Sequence, residues 1–219
     1  MKLPFKALAM CVGGCAVLTV GSAQANSYSL DAPNLQLSGI TGPYGSVDVS
    51  LSDSTHAVIT FTAGVENGNQ FLFGGQGIAD FNVNASSFTA TFGSFSQLPG
   101  CTPAIITSAG AGNVSSLGHF NQTFDGFDGF SHATTTLTFN VTDNSGTWAS
   151  AADVLTPNAD GSTVGAHIFV TSFPGNVNNG AIVTGFASDG GSSVPDGGTT
   201  AVMLGGALSA LGLARRKLG

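Results

Sequence analysis

The sequence predicts an all-β protein, an antiparallel sandwich or jelly-roll-like single domain flanked by an N-terminal signal peptide and a C-terminal transmembrane helix. Three observations carry that expectation. Apolar residues alternate with Thr, Ser and Asn in short runs, charged helix formers are nearly absent between the ends, and every Lys and Arg is confined to the ends. All 5 of those cations (Lys2, Lys6, Arg215, Arg216, Lys217) flank a body, residues 26–193, that contains none. Of the 12 carboxylates, all but Asp196 lie within that body, and the formal net charge of the chain is −7. Nucleic-acid binding by the body is therefore excluded, because phosphate neutralisation needs Lys or Arg. Lys Schiff bases, Arg clamps and P-loops are excluded on the same ground.

Residues 1–25 have the three parts of a secretory signal. Lys2 and Lys6 supply the cationic start, Ala7 to Val20 the apolar run, and Ala23 and Ala25 the small-residue site, with cleavage expected before Asn26. The Sec translocon is the partner this implies. A lipoprotein reading through Cys15 is weaker, since the apolar run continues past it to Val20. Removal of the signal takes Cys11 and Cys15 with it. Of the 3 Cys only Cys101 remains, so no internal disulfide is available and the body depends on its core. Burial as a small apolar side chain is the expectation for Cys101.

Within residues 26–193, period-two patterns mark half-buried strands. Ile59, Phe61 and Ala63 alternate with Thr60 and Thr62; Phe88, Ala90 and Phe92 with Thr89 and Thr91; Leu137, Phe139 and Val141 with Thr138 and Asn140. Further strands are expected at Ser46 to Leu51, Gln70 to Phe73, Ile78 to Asn84, Val164 to Phe173 and Ala181 to Phe186, about eight in all. The segment from Asn158 to Gly161 reads as a turn, Asp160-Gly161 supplying positive φ. As a calcium loop it would put Thr156 and His167 where carboxylates are required. Phe124 to Phe130, with Asp125, Asp128 and the flanking His119 and His132, reads as a loop with its Phe side chains inward and its Asp side chains in water. Two carboxylates so placed supply too few of the 6 to 8 oxygens that calcium takes.

No catalytic constellation is legible. There is no Gly-x-Ser-x-Gly elbow and no His-Glu-x-x-His helix, and Glu66, the single Glu, has no acidic neighbour in sequence. His56, His119, His132 and His167 are widely separated. Trp148 is expected to anchor the core. Accordingly no catalytic residue, no metal ligand set and no cofactor is expected. Any carboxylate that the body buries, however, must find a His, a backbone amide or a metal, because no Lys or Arg is at hand.

The C-terminal 26 residues, 194–219, carry the most specific pattern: the polar motif Val194-Pro195-Asp196-Gly197-Gly198, an apolar segment from Thr199 to Ala214, and the basic cluster Arg215-Arg216-Lys217. Pro195 and the two glycines disfavour regular structure, leaving an extended segment that an enzyme can grip. At about 1.5 Å per residue the apolar segment spans roughly 24 Å, a marginal crossing that snorkelling of the cations completes. The basic cluster holds the end in the cytoplasm by the positive-inside rule, which leaves the body outside.

In motif, span and cluster this tail resembles the PEP-CTERM sorting signals, most closely the variant that reads Val-Pro-Asp-Ser-Gly, with Gly197 standing where that variant has Ser. The resemblance implies that an exosortase, a membrane enzyme with its own catalytic Cys, recognises and cuts the motif, and that this chain is its substrate. It further implies an inner-membrane-anchored precursor and a final place at the cell surface or in the extracellular matrix of a Gram-negative bacterium. The function expected is a structural or interaction protein, not an enzyme, with exopolysaccharide or other matrix components as partners. A carbohydrate-binding module is the alternative, opposed by a body whose aromatics besides Phe are only Trp148, Tyr28 and Tyr44. A hydrolase would need two Asp residues brought together in a cleft by the fold.

Overall fold

The computed structural model describes residues 25–126 and 129–190, with 193–195 described as a strand. Fourteen strands make up the regular structure: β1 (Asn26–Leu30), β2 (Ala32–Pro33), β3 (Gly45–Leu51), β4 (His56–Ala63), β5 (Val65–Glu66), β6 (Asn69–Phe73), β7 (Ala79–Phe81), β8 (Phe88–Gln97), β9 (Thr107–Val114), β10 (Gly118–Asp125), β11 (Thr134–Asp143), β12 (Val164–Ser172), β13 (Val183–Ser188) and β14 (Ser193–Pro195). Three single 3-10 turns interrupt them, at Leu35–Leu37, Phe130–His132 and Ala151–Asp153, and no α-helix occurs among the described residues. The fold is all-β and wholly antiparallel, as the alternation and the lack of charged helix formers predict.

The strands form one connected hydrogen-bonded network with two arms. One arm runs β14, β1, β3, β4, β11, with β8 on the free side of β11; the other runs β6, β12, β7, β10, β9, with β5 beside β6 and β13 and β2 beyond β12. The arms meet at a single ladder pair, Thr134 opposite Phe73. Phe61 and Phe139 of the first arm pack against rings of the second: Phe61 lies 6.0 Å from Phe73, and Phe139 lies 5.6 Å from Phe81 and 4.4 Å from Phe124. All five rings are fully buried. Each contributes roughly 1.5–3 kcal/mol by burial, which is where a body without disulfides finds its stability.

The predicted alternation orients the side chains as expected. Ala57, Ile59 and Phe61 point inward from β4, and Leu137, Phe139 and Val141 from β11, while Asn140 is exposed. The register between β8 and β11 shifts twice. Ser94 pairs with Thr138 and Phe92 with Phe139, which leaves Gly93 as the extra residue of a bulge; a Cβ there would come 3.1 Å from the Thr138 carbonyl oxygen. β12 is buried along nearly its whole length because β13 lies on one side and β6 and β7 on the other.

Several boundaries differ from the sequence expectation. The strand expected over Ile78 to Asn84 is only β7, because the Asn82 side chain donates to the Thr156 carbonyl and Val83 forms an isolated bridge to Leu155, turning the chain away. Asn158 to Gly161 is the expected turn, with Asn158 Oδ1 accepting the Asp160 and Ser162 amides and Gly161 at φ 89°. The segment before it carries a 3-10 turn at Ala151–Asp153. Phe124 and Asp125 belong to β10, so the expected loop begins later, and Phe127 and Asp128 lie outside the described residues.

Candidate functional site

The sorting motif begins on the sheet. β1 forms because Tyr28 and Leu30 alternate inward with Ser27 and Ser29, and Asn26 is buried at its start. One side of β1 pairs with β3, Asn26 standing opposite Val49. Its other side takes β14, with Asn26 opposite Pro195, Ser27 opposite Val194 and Tyr28 opposite Ser193. Val194 and Pro195 are thus in an edge strand, a position that tolerates a residue without an N–H. Burial pushes the Tyr28 phenol up to about 12, with the Asp189 charge acting in the same sense against the Asn26 hydrogen bond. The other candidate positions, Ala23, Asp196, Gly197, Gly198, the apolar segment 199–214, Arg215, Arg216 and Lys217, lie outside the described residues. Among the described residues no helix is long and apolar enough to cross a membrane.

A second place of chemical interest is a cleft of about 300 Å³ whose wall includes Gly77, Asp80, Asn113, Thr123, Asp125 and Phe186. Thr123 stands directly opposite Asp80 in the β7–β10 ladder, which sets Asp125 diagonally across from Asp80. Both carboxyl groups meet at Gly77. Asp125 Oδ1 accepts the Gly77 N–H at 2.9 Å, and Asp80 Oδ2 lies 3.2 Å from the point a Cβ on Gly77 would occupy. The two groups are therefore within about 9 Å of each other through this one residue. Asp80 is fully buried, and among the described residues neither of its oxygens has a hydrogen-bond partner. Burial, reinforced by the Asp125 charge, pushes its carboxyl well above the usual carboxylate range.

Sequence reasoning set Asp125 beside Asp128 and passed over Asp80. The usable signal was Ile78-Ala79-Asp80-Phe81, a carboxylate inside an apolar run of a body without Lys or Arg. Two other carboxylates have backbone amide partners. Asp189 Oδ1 accepts the Thr163 and Val164 amides at 2.8 and 3.3 Å. Asp143 is held below its usual range, first by the Ser145 amide and further by the Ser145 hydroxyl and the Gly146 amide. Among the described residues no group of three or more His, Cys, Asp or Glu side chains is placed to hold a metal.

The aromatic residues other than Phe are all in the core. Trp148 is 3% exposed with its indole N–H donating to the Asn84 carbonyl at 3.0 Å, Tyr28 is buried, and Tyr44 is buried against Phe71. Trp148 is thus the core anchor expected. Cys101 is half-buried against Leu98 and its neighbours, and burial raises its thiol. His167 stacks on Phe186 at 4.5 Å, and His56 pairs with Asp53 at the surface.

The last described strand, β14, carries Val194 and Pro195, the first two residues of the polar motif. Residues 193–218 match a family model described as the VPDSG-CTERM motif, a PEP-CTERM-like C-terminal sorting signal. That signal supports export to the cell surface and implies an exosortase as processing partner. No curated protein and no solved structure matches the chain.

Proposed function

We propose that this chain is a structural or interaction protein of the cell surface or extracellular matrix, delivered by an exosortase and without catalytic activity of its own. The observation that carries the reading is the VPDSG-CTERM match over residues 193–218, in which a cleavable motif, an apolar span and a basic cluster follow one another in fixed order. The precursor is anchored in the inner membrane by residues 199–214 of a Gram-negative host, with Arg215, Arg216 and Lys217 held in the cytoplasm. Processing near Val194 to Gly198 then frees the body or transfers it onward.

The carbohydrate-binding alternative loses support from the packing, since Trp148, Tyr28 and Tyr44 are buried and offer no stacking platform. A hydrolase built on Asp80 and Asp125 meets the requirement of two carboxylates in a cleft, but both Asp80 oxygens are sealed from solvent and cannot touch a substrate. Intact mass and cell fractionation in the native host, with and without its exosortase gene, test the reading. A mature form starting at Asn26 and ending near the motif, with an uncut membrane-bound form accumulating in the deletion strain, is the expected result. An identical C-terminus in both strains would overturn it.

A further inference from the structure

β8 has a strand on one side only. Among the described residues it pairs with β11 alone, and no other backbone hydrogen bond is made from Phe88 to Phe92. Unpaired N–H and C=O groups along a strand are a template for another strand. The core is also left open here. Phe139 and Val141 of β11 are fully buried, whereas Phe92 and Ala90, which stand opposite them on β8, are half-buried, as is Phe88. Exposed edges are commonly guarded by a Lys, a Pro or an inward-pointing charge, and Phe88–Gln97 contains none of these. The Gly93 bulge limits the regular part of the edge to Phe88–Phe92. The other free edges have less to bury: β2 and β5 are 2 residues long, β14 is 3, and β9 presents mostly Ser, Gly and Ala.

We propose that β8 is a self-association edge, at which two copies of this chain meet by antiparallel pairing of Phe88–Phe92 about a two-fold axis at Ala90. The segment Phe-Thr-Ala-Thr-Phe reads the same in both directions, so this register is self-complementary. Phe88 of each copy stands opposite Phe92 of the other on the inner face, and Thr89 opposite Thr91 on the outer face. Aromatic pairs and Thr–Thr pairs directly across a ladder stabilise antiparallel sheets. The second copy thereby covers the half-buried rings that β8 leaves at the margin of the core. Charge selects a second copy as the occupant. Every carboxylate but Asp196 lies in a body without Lys or Arg, so two copies repel each other over an acidic surface, and a partner drawn by charge would seek those acids. β8 carries none of them, which lets two copies meet there without setting like charges opposite each other. A two-fold contact closes on itself, giving a dimer and not a filament. With so short a paired segment the contact belongs to the small, transient class, and dimerisation depends on concentration.

The contact concerns the body alone and stands whether or not the tail is processed. Sedimentation velocity of the full chain in detergent, loaded from about 1 µM to 1 mM, tests it together with the charge variants T89K/T91K and T89E/T91E. Both positions are exposed, so the substitutions leave the core untouched. The wild type should pass from monomer to dimer across the range. Either variant alone sets like charges opposite each other at both Thr–Thr pairs and should weaken association by roughly tenfold or more. An equimolar mixture of the two should recover the dimer, because each Lys then faces a Glu. A109K/A111K, at exposed positions on β9, should dimerise as the wild type does. A wild type that stays monomeric throughout, a dimer that persists in both charge variants alone, a mixture that fails to associate, or loss of the dimer in A109K/A111K would each overturn the assignment.

Discussion

The rings of Phe124 and Phe139 lie 4.4 Å apart, centroid to centroid, at an interplanar angle of 37°. They come from opposite arms of the sheet, so this contact joins the β7–β10 unit to the β4–β11 ladder. Phe139 also touches Phe61, Phe81 and Phe92. Phe139→Ala is expected to cost about 3–5 kcal/mol. Urea unfolding should show this as a lowered midpoint with an unchanged slope.

Close approach rather than turn geometry explains Gly74. A Cβ at this position would fall 2.2 Å from Cε2 of Phe169, whose ring is buried against Phe130 and Leu98. Gly74→Ala should lose about 1–3 kcal/mol through overpacking. Shortening the neighbour in the double variant Gly74→Ala/Phe169→Leu should cost less than the two single losses added together, a coupling that a double-mutant cycle measures.

Acid sensitivity is expected at the turn before β4. The Asp53 carboxyl is held well below its usual range, first by the Thr55 amide, then by the His56 ring and the Thr55 hydroxyl. A depressed carboxyl contributes stability that is present above the unfolded value of about 3.9 and lost as pH falls through the folded value. The small deficit of Asp53→Asn at pH 6 should therefore close as the pH is lowered toward 2. Melting curves of both proteins across that range provide the check, and a gap independent of pH would refute an ionic role.

Asp80 has the opposite sign. Its raised carboxyl contributes most below about pH 3.9, and that contribution is lost as pH rises toward the folded value. The stability of the wild type relative to Asp80→Asn should fall between pH 4 and neutrality. Thermal melts of the pair in matched buffers decide it; parallel profiles would mean that Asp80 does not titrate in that interval.

Much of this fold could be read from side-chain period. Ile59 and Phe61, or Leu137 and Phe139, declare which face of a strand is inward because each lies in a half-buried strand with Thr or Asn between. β9 was not legible, since Thr107 to Val114 is mostly Ser, Gly and Ala at an edge, with no apolar face to bury. β10 was hidden by Gln122 and Thr123, polar residues that the fold buries by bonding Gln122 to Ser108 and Thr123 to the Gly110 carbonyl. The sorting motif needed no fold to be recognised, because its signal is local order along the chain. The Asp80–Asp125 cleft needed the register of β7 on β10, which no local pattern encodes.

The pairing of Asn26 with Pro195 leaves no spacer between the folded body and its address. Val194 and Pro195, the first residues of the motif, lie in the edge strand beside β1. Signal cleavage before Asn26 would also set a new α-ammonium group next to Pro195. In a body without Lys or Arg, that amine would be the one cation other than His, and it would stand beside the strand that carries Val194 and Pro195.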